Sequence, residues 1–273
     1  MTKKPYVRIL AALVALGLIG AATYTFFWDP KPTFAAAPNE AASQVTADEL
    51  AQAAELRVFF GHKSVGRNVI AGLQQLYGSH GAASPTFFET DIGEVPTLDK
   101  GQGAFVHTLI GENRHPYRKL ENFESMLRGG LAEQVDVALI KFCYIDIRWD
   151  TDVDKLFNTY KATMDELEAD YPGVRFVHVT APLTTGPYGI KDHLKKLVGR
   201  DDNATRERYN ELMRGAYGPD QLLDLAAVEA KAPDGTMRPE LHGGYSSDGA
   251  HLNDTGAALV AAELVHLLTR PRS

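Results

Sequence analysis

From about residue 48 to the C-terminus, short apolar runs alternate with longer amphipathic stretches, and few folds accommodate that alternation. Leu56–Phe60 reads as a buried strand, and Val65–Tyr77 as a helix with Val69, Ile70, Leu73 and Leu76 on one face. Thr86–Glu89 fits a second strand and Tyr117–Leu127 a helix. The run Val135–Phe142 is apolar nearly throughout, as expected of a central parallel strand covered on both faces. A long helix follows over Asp152–Tyr171, with Thr151 as its cap and Asp154 at the capping-box position. Val174–Thr180 is a strand, Thr205–Tyr217 a helix and Gln221–Leu225 a short strand. Thr255–Thr269 is the closing helix, capped by Asn253 or Asp254. The expected fold is one α/β domain over residues 48–273, a three-layer sandwich around a parallel sheet. Ligands of such sheets bind beyond the carboxyl ends of the strands.

The N-terminus is organised differently. Lys3, Lys4 and Arg8 precede Ile9–Trp28, 20 residues without a charge. At about 1.5 Å per residue that run can cross a hydrocarbon core of about 30 Å, and its basic flank keeps the N-terminus cytoplasmic. Residues 1–28 are read as a signal anchor or as a signal peptide cleaved near Ala35-Ala36-Ala37. Tyr24, Phe26, Phe27 and Trp28 at the outer edge resemble an interfacial belt and favour the anchor. Residues 29–47 then form a linker, and the domain is expected to be extracytoplasmic, with the membrane as a partner through the N-terminal helix. Cys143 is the only cysteine, so stability must come from the core rather than from a disulfide. The formal net charge is -7. An acidic chain lacks the clustered cations of a phosphate-backbone footprint, which excludes nucleic acid as a partner.

Two segments carry chemistry. In Ser247-Asp248-Gly249-Ala250-His251-Leu252-Asn253, an acid stands three residues before a histidine on a glycine-containing turn that opens a helix. That spacing can set a carboxylate against imidazole Nδ1 and leave Nε2 as a general base. In Phe59-Phe60-Gly61-His62-Lys63-Ser64, a serine stands where a strand turns into a helix. It is either a plain helix cap or a nucleophile beside the backbone N–H groups of a helix start. The order Ser64, Asp248, His251 is the skeleton of a serine hydrolase.

These segments resemble the SGNH (GDSL-type) hydrolases over about residues 55–270, most specifically at Ser247–Gly256. The resemblance implies a flavodoxin-like fold and a Ser64–His251–Asp248 triad acting on esters. It also implies an oxyanion hole made of the serine N–H, a glycine N–H and an asparagine side chain. The chain departs from the family pattern twice. Its first block reads Gly61-His62-Lys63-Ser64, and Ile145 stands in the asparagine position of Cys143-Tyr144-Ile145-Asp146. Isoleucine donates no hydrogen bond. Gly111 of Leu109-Ile110-Gly111-Glu112-Asn113 is the expected second N–H, with Asn113 or Tyr144 supplying the missing side-chain donor.

Other candidates carry less. Side chains leaving a strand consecutively point apart, which separates Lys63 from Ser64. His62 either packs or lines the site. Asp150-x-Asp152-x-Asp154 lacks the glycine and terminal glutamate of a calcium loop and fits an acidic helix start. The histidines lack metal-ligand spacing, and neither a metal nor a cofactor is expected. Tyr209-Asn210 reads as structural. The α/β-hydrolase pattern requires Gly-x-Ser-x-Gly and a distant acid, which this chain does not have. The expected activity is ester hydrolysis on a small-molecule or glycan ester. O-acyl transfer to a cell-envelope glycan and a non-catalytic binding module are the alternatives.

Overall fold

The computed structural model describes Val14 and residues 34–38, 44–186 and 190–271. The uncharged run Ile9–Trp28 therefore lies, but for Val14, outside the described residues. Among those residues no helix is long and apolar enough to cross a membrane.

The domain begins with α1 (Ala47–Ala54), fixed by a capping box in which Thr46 accepts from the Glu49 N–H and Glu49 accepts from the Thr46 N–H. There follow β1 (Arg57–His62), α2 (Val65–His80), β2 (Thr86–Glu89), β3 (Ala104–Leu109), α3 (Pro116–Met126) and β4 (Val137–Ile140). After a 3₁₀ turn at Tyr144–Asp146 come α4 (Val153–Asp170), β5 (Arg175–Val179), α5 (Ile190–Leu197) and α6 (Asp202–Ala216). The chain closes with β6 (Leu222–Leu223), α7 (Leu225–Ala230), a 3₁₀ turn at Gly243–Tyr245 and α8 (Asp254–Thr269).

The six strands form one parallel sheet in the order β2-β3-β1-β4-β5-β6. Alternation along β1 sends Val58 and Phe60 into the core under α2 and α8, and Phe59 into the core under α3 and α4. Both faces are covered, as parallel sheets require, and the result is a flavodoxin-like α/β/α sandwich. β1 is central, flanked by β3 and β4. Whatever follows its carboxyl end sits in the crevice between the loops after those two neighbours.

Several local expectations need correction. The cap of α4 is Asp152, which accepts from the Lys155 N–H, while Thr151 Oγ1 accepts from the Arg148 N–H. Asp154 instead pairs with Arg208. Part of the stretch read as a linker lies on the domain. The Ala37 N–H donates to the Gly244 carbonyl at 2.9 Å, its carbonyl accepts from Thr255 Oγ1 at 3.1 Å, and the Phe34 ring sits against Gly243. α2 and α8 meet at Gly72, where a Cβ would lie inside contact distance of the Ala257 carbonyl.

Candidate active site

Ser64 stands two residues past the end of β1, at the cap position of α2, with φ 55° and ψ -110°. Positive φ in a non-glycine residue costs on the order of 1–3 kcal/mol and persists only where its surroundings hold it. The turn is held by the Gly66 N–H donating to the Lys63 carbonyl (3.1 Å) and the Arg67 N–H donating to the Ser64 carbonyl (2.8 Å). The buried Cys143 thiol also donates to the Lys63 carbonyl at 3.5 Å. A serine in a plain capping role accepts an N–H from the first turn. Ser64 makes no such bond; its Oγ lies 2.5 Å from His251 Nε2, across 187 residues of sequence.

His251 is set by the turn it belongs to. Asp248 Oδ2 is 2.8 Å from His251 Nδ1, and Oδ1 accepts the backbone N–H groups of His251 (2.8 Å) and Ala250 (3.0 Å). Partial burial opposes ionisation of Asp248. The His251 N–H, the imidazole and the Ala250 N–H outweigh it and hold the carboxyl below the usual carboxylate range. An ionised acceptor at Nδ1 places the imidazole proton there and leaves the Nε2 lone pair facing the serine hydroxyl.

Two further residues, which sequence reasoning missed, brace this turn. Ser246 Oγ accepts the Gly249 N–H and donates to the His251 carbonyl, both at 2.8 Å. Thr185, from the loop after β5, donates its N–H (2.9 Å) and its hydroxyl (3.0 Å) to the Gly249 carbonyl. Gly249 itself has φ 90°, which glycine adopts without cost. The position of Ser246 directly before the motif is the only sequence signal for it, and Thr185 has none.

Around the pair, the Tyr144 ring stands nearly perpendicular to that of His251, with centroids 5.8 Å apart. Burial, then the nearby Asp248 charge, raises its hydroxyl pKa above the ordinary value and keeps it a neutral donor. Arg206, buried in α6, donates through Nε to the carbonyls of Tyr144 (2.7 Å) and Ile147 (3.2 Å), and its guanidinium lies 5.7 Å from the Tyr144 ring centre. Asp146 ties together the loops after β3 and β4. It accepts the N–H groups of Cys143 (2.6 Å) and Arg114 (2.8 Å) and forms a fully buried ion pair with Lys119 at 2.5 Å.

The expected oxyanion donors are not all brought together. The Gly111 N–H is engaged, donating to Asn122 Oδ1 of α3 at 2.9 Å. It is free for a substrate only if that bond opens. Asn113 is exposed in the turn before α3. Of the four groups expected there, Tyr144 packs against His251, and the Ser64 N–H lies at the mouth of α2. His62 packs: it is fully buried, stacked on Phe60, with Nε2 3.2 Å from His107 Nδ1. Burial lowers its pKa to about 2, so it stays neutral. Asn210 is structural, its amide bonding both the N–H and the carbonyl of Ala181.

No protein-family model matches the chain, and no curated protein matches it. Solved structures do. A Streptococcus pneumonia structure provisionally described as a platelet activating factor superposes with a TM-score of 0.50 at 18% identity, covering 79% of this chain and 84% of that one. A lipolytic protein of the G-D-S-L family from Desulfitobacterium hafniense DCB-2 gives 0.44 at 13% identity, over 78% and 99%. The periplasmic domain of a lipopolysaccharide acetyltransferase from Salmonella ser. Paratyphi A gives 0.41 at 9% identity, over 82% and 87%. At such identities the likeness is one of fold, the flavodoxin-like α/β/α sandwich.

Proposed function

We propose that the protein is a serine esterase working through Ser64, His251 and Asp248. The observation that carries this reading is the continuous contact from Ser64 Oγ through the imidazole to the Asp248 carboxylate, at 2.5 and 2.8 Å. His251 Nε2 takes the hydroxyl proton as Ser64 Oγ attacks the ester carbonyl carbon. The tetrahedral oxyanion is met by the Ser64 N–H, and the side-chain donor assigned to it is the hydroxyl of Tyr144, whose ring packs against His251. On collapse, the alkoxide leaves with the proton from Nε2 and the acyl group stays on Ser64. A water then gives its proton to Nε2, its oxygen attacks the acyl carbon, and the carboxylic acid departs as Ser64 regains its proton. An acceptor hydroxyl in place of that water makes the same triad an O-acyltransferase.

The basic flank and the uncharged run Ile9–Trp28 support a membrane-anchored or exported protein with its catalytic domain outside the cytoplasm. Hydrolysis of p-nitrophenyl acetate by the full-length chain in detergent tests the activity. Ser64→Ala should lower kcat by at least about 10³-fold. Equal rates for the two proteins, with glycan binding retained by both, would instead identify a binding module.

A further inference from the structure

If Ser64 is an esterase nucleophile, the triad handles the reacting bond and the surface beside it holds the rest of the ester; the role of that surface rests on the esterase reading. His251 returns its proton to the leaving alkoxide, so the alcohol portion must lie on the imidazole side of Ser64. Beyond the imidazole, the Asp248–Ala250 turn that carries His251 forms one wall of a cleft of about 620 Å³, which Ser64 and His251 themselves do not line. That volume lies within the range of small-ligand sites. The other walls come from α5, from α6 and its preceding loop, and from Thr184–Gly186 and Pro239–Glu240.

The walls mix apolar surface with many charged side chains. Seven carboxylates and four cationic side chains line the cleft. The cations are engaged: Lys195 with Asp192 (2.8 Å), Lys196 with Asp201 (3.1 Å), Arg208 with Asp154, and Arg200 4.5 Å over the Trp149 ring. Among the described residues Glu211 and Glu240 make no ion pair, so the free charge facing the cleft is negative. Trp149, 39% exposed, stands beside the cleft and not in its lining, with Arg200 over its ring and its backbone N–H donating to Asp202 Oδ1 at 2.9 Å.

We propose that this cleft binds the alcohol portion of the ester and that this portion is an uncharged, hydroxyl-rich glycan. Its carboxylate, ammonium, guanidinium and amide groups supply hydrogen-bond partners for hydroxyls beside the apolar part of the lining. The excess carboxylates, Asp248 among them, repel an anionic alcohol. The part of the Trp149 indole left exposed beside Arg200 offers apolar surface to the C–H face of a sugar ring reaching past the cleft.

The test compares kcat/KM of the full-length chain in detergent on acetylated xylo-oligosaccharides, acetylated oligogalacturonides and acetylcholine at low ionic strength. The neutral glycan should exceed the anionic one by at least about tenfold, with added salt narrowing the gap. The double variant Glu211→Gln, Glu240→Gln should narrow the gap at least about threefold, and Trp149→Ala should raise KM for the neutral glycan. Equal Ser64-dependent rates on the two oligosaccharides, faster turnover of acetylcholine, or an unchanged ratio in the double variant overturns the proposal and leaves the esterase reading standing. Turnover that survives Ser64→Ala overturns both.

Discussion

Replacing Asp248 by Asn tests the electrostatic part of the mechanism while nearly preserving shape. Its Oδ1 keeps the N–H groups of His251 and Ala250, and the new amide stands where Oδ2 met Nδ1 at 2.8 Å. Two effects follow. The imidazolium formed in the transition state loses its counter-charge. A charge pair about 4 Å apart is worth about 4 kcal/mol at an effective dielectric of 20 and about 1 kcal/mol in bulk water. With 37% and 35% of these side chains exposed, roughly 2 kcal/mol survives screening, or about 30-fold in rate. The amide is also a donor, so Nδ1 must accept and Nε2 carries the proton toward Ser64, the wrong tautomer for a base. That inversion adds about another tenfold or more. The expected result is a kcat lowered by about 10²–10³, short of the roughly 10⁴ known for a deeply buried triad aspartate because this one is open to water. The assay is steady-state hydrolysis of p-nitrophenyl acetate, with a thermal melt showing that the fold persists. A kcat within threefold of the wild type would refute the role given to Asp248.

Other expectations follow from the same geometry. Ser246→Ala unpairs the Gly249 N–H and should lower kcat about tenfold with KM within about twofold, while Ser246→Thr restores it; equal loss in both variants would make the effect one of packing. Tyr144→Phe should cost on the order of 10- to 100-fold in kcat if its hydroxyl meets the oxyanion, and an unchanged rate removes it from that role. Asn113→Ala is the parallel test of the exposed asparagine, with unchanged turnover excluding it. Burial raises the Glu229 carboxyl to about 8, against weaker lowering by the Leu183 N–H, Lys141 and Arg206. The folded state then holds a proton that the unfolded chain has released, so stability falls as pH rises from about 4.5 to about 8. Glu229→Gln should remove that decline in melts run across the window, and parallel melting curves for the two proteins would contradict the assignment.

The order of strands and helices was legible because β1 and β4 are largely apolar runs, β5 lies in the stretch Val174–Thr180 that follows a long helix, and α2, α4 and α8 carry clear helical faces. β3 escaped notice because His107 and Thr108 interrupt its apolar pattern although both are buried, and α7 spans only six residues. The Asp248–His251 spacing and the strand-to-helix position of Ser64 were readable as local features. Their meeting was an expectation carried by chain order and the family resemblance. The oxyanion side was less legible. Whether Gly111 presents a free N–H depends on Asn122, eleven residues on, which reaches back from a face of α3 that no spacing rule marks. Thr185 and Arg206 act through contacts across 64 and 62 residues, set by loop packing rather than by any local pattern.

The account stands on Ser64 being an activated nucleophile. Incubating the full-length chain with a fluorophosphonate probe, then digesting it and sequencing the labelled peptide by mass spectrometry, tests this directly. The expected result is a phosphonyl adduct on Ser64, with fluoride released, formed far more slowly in His251→Ala and absent in Ser64→Ala. An intact protein that stays unlabelled, or that carries the adduct on another residue, would contradict the assignment of this triad.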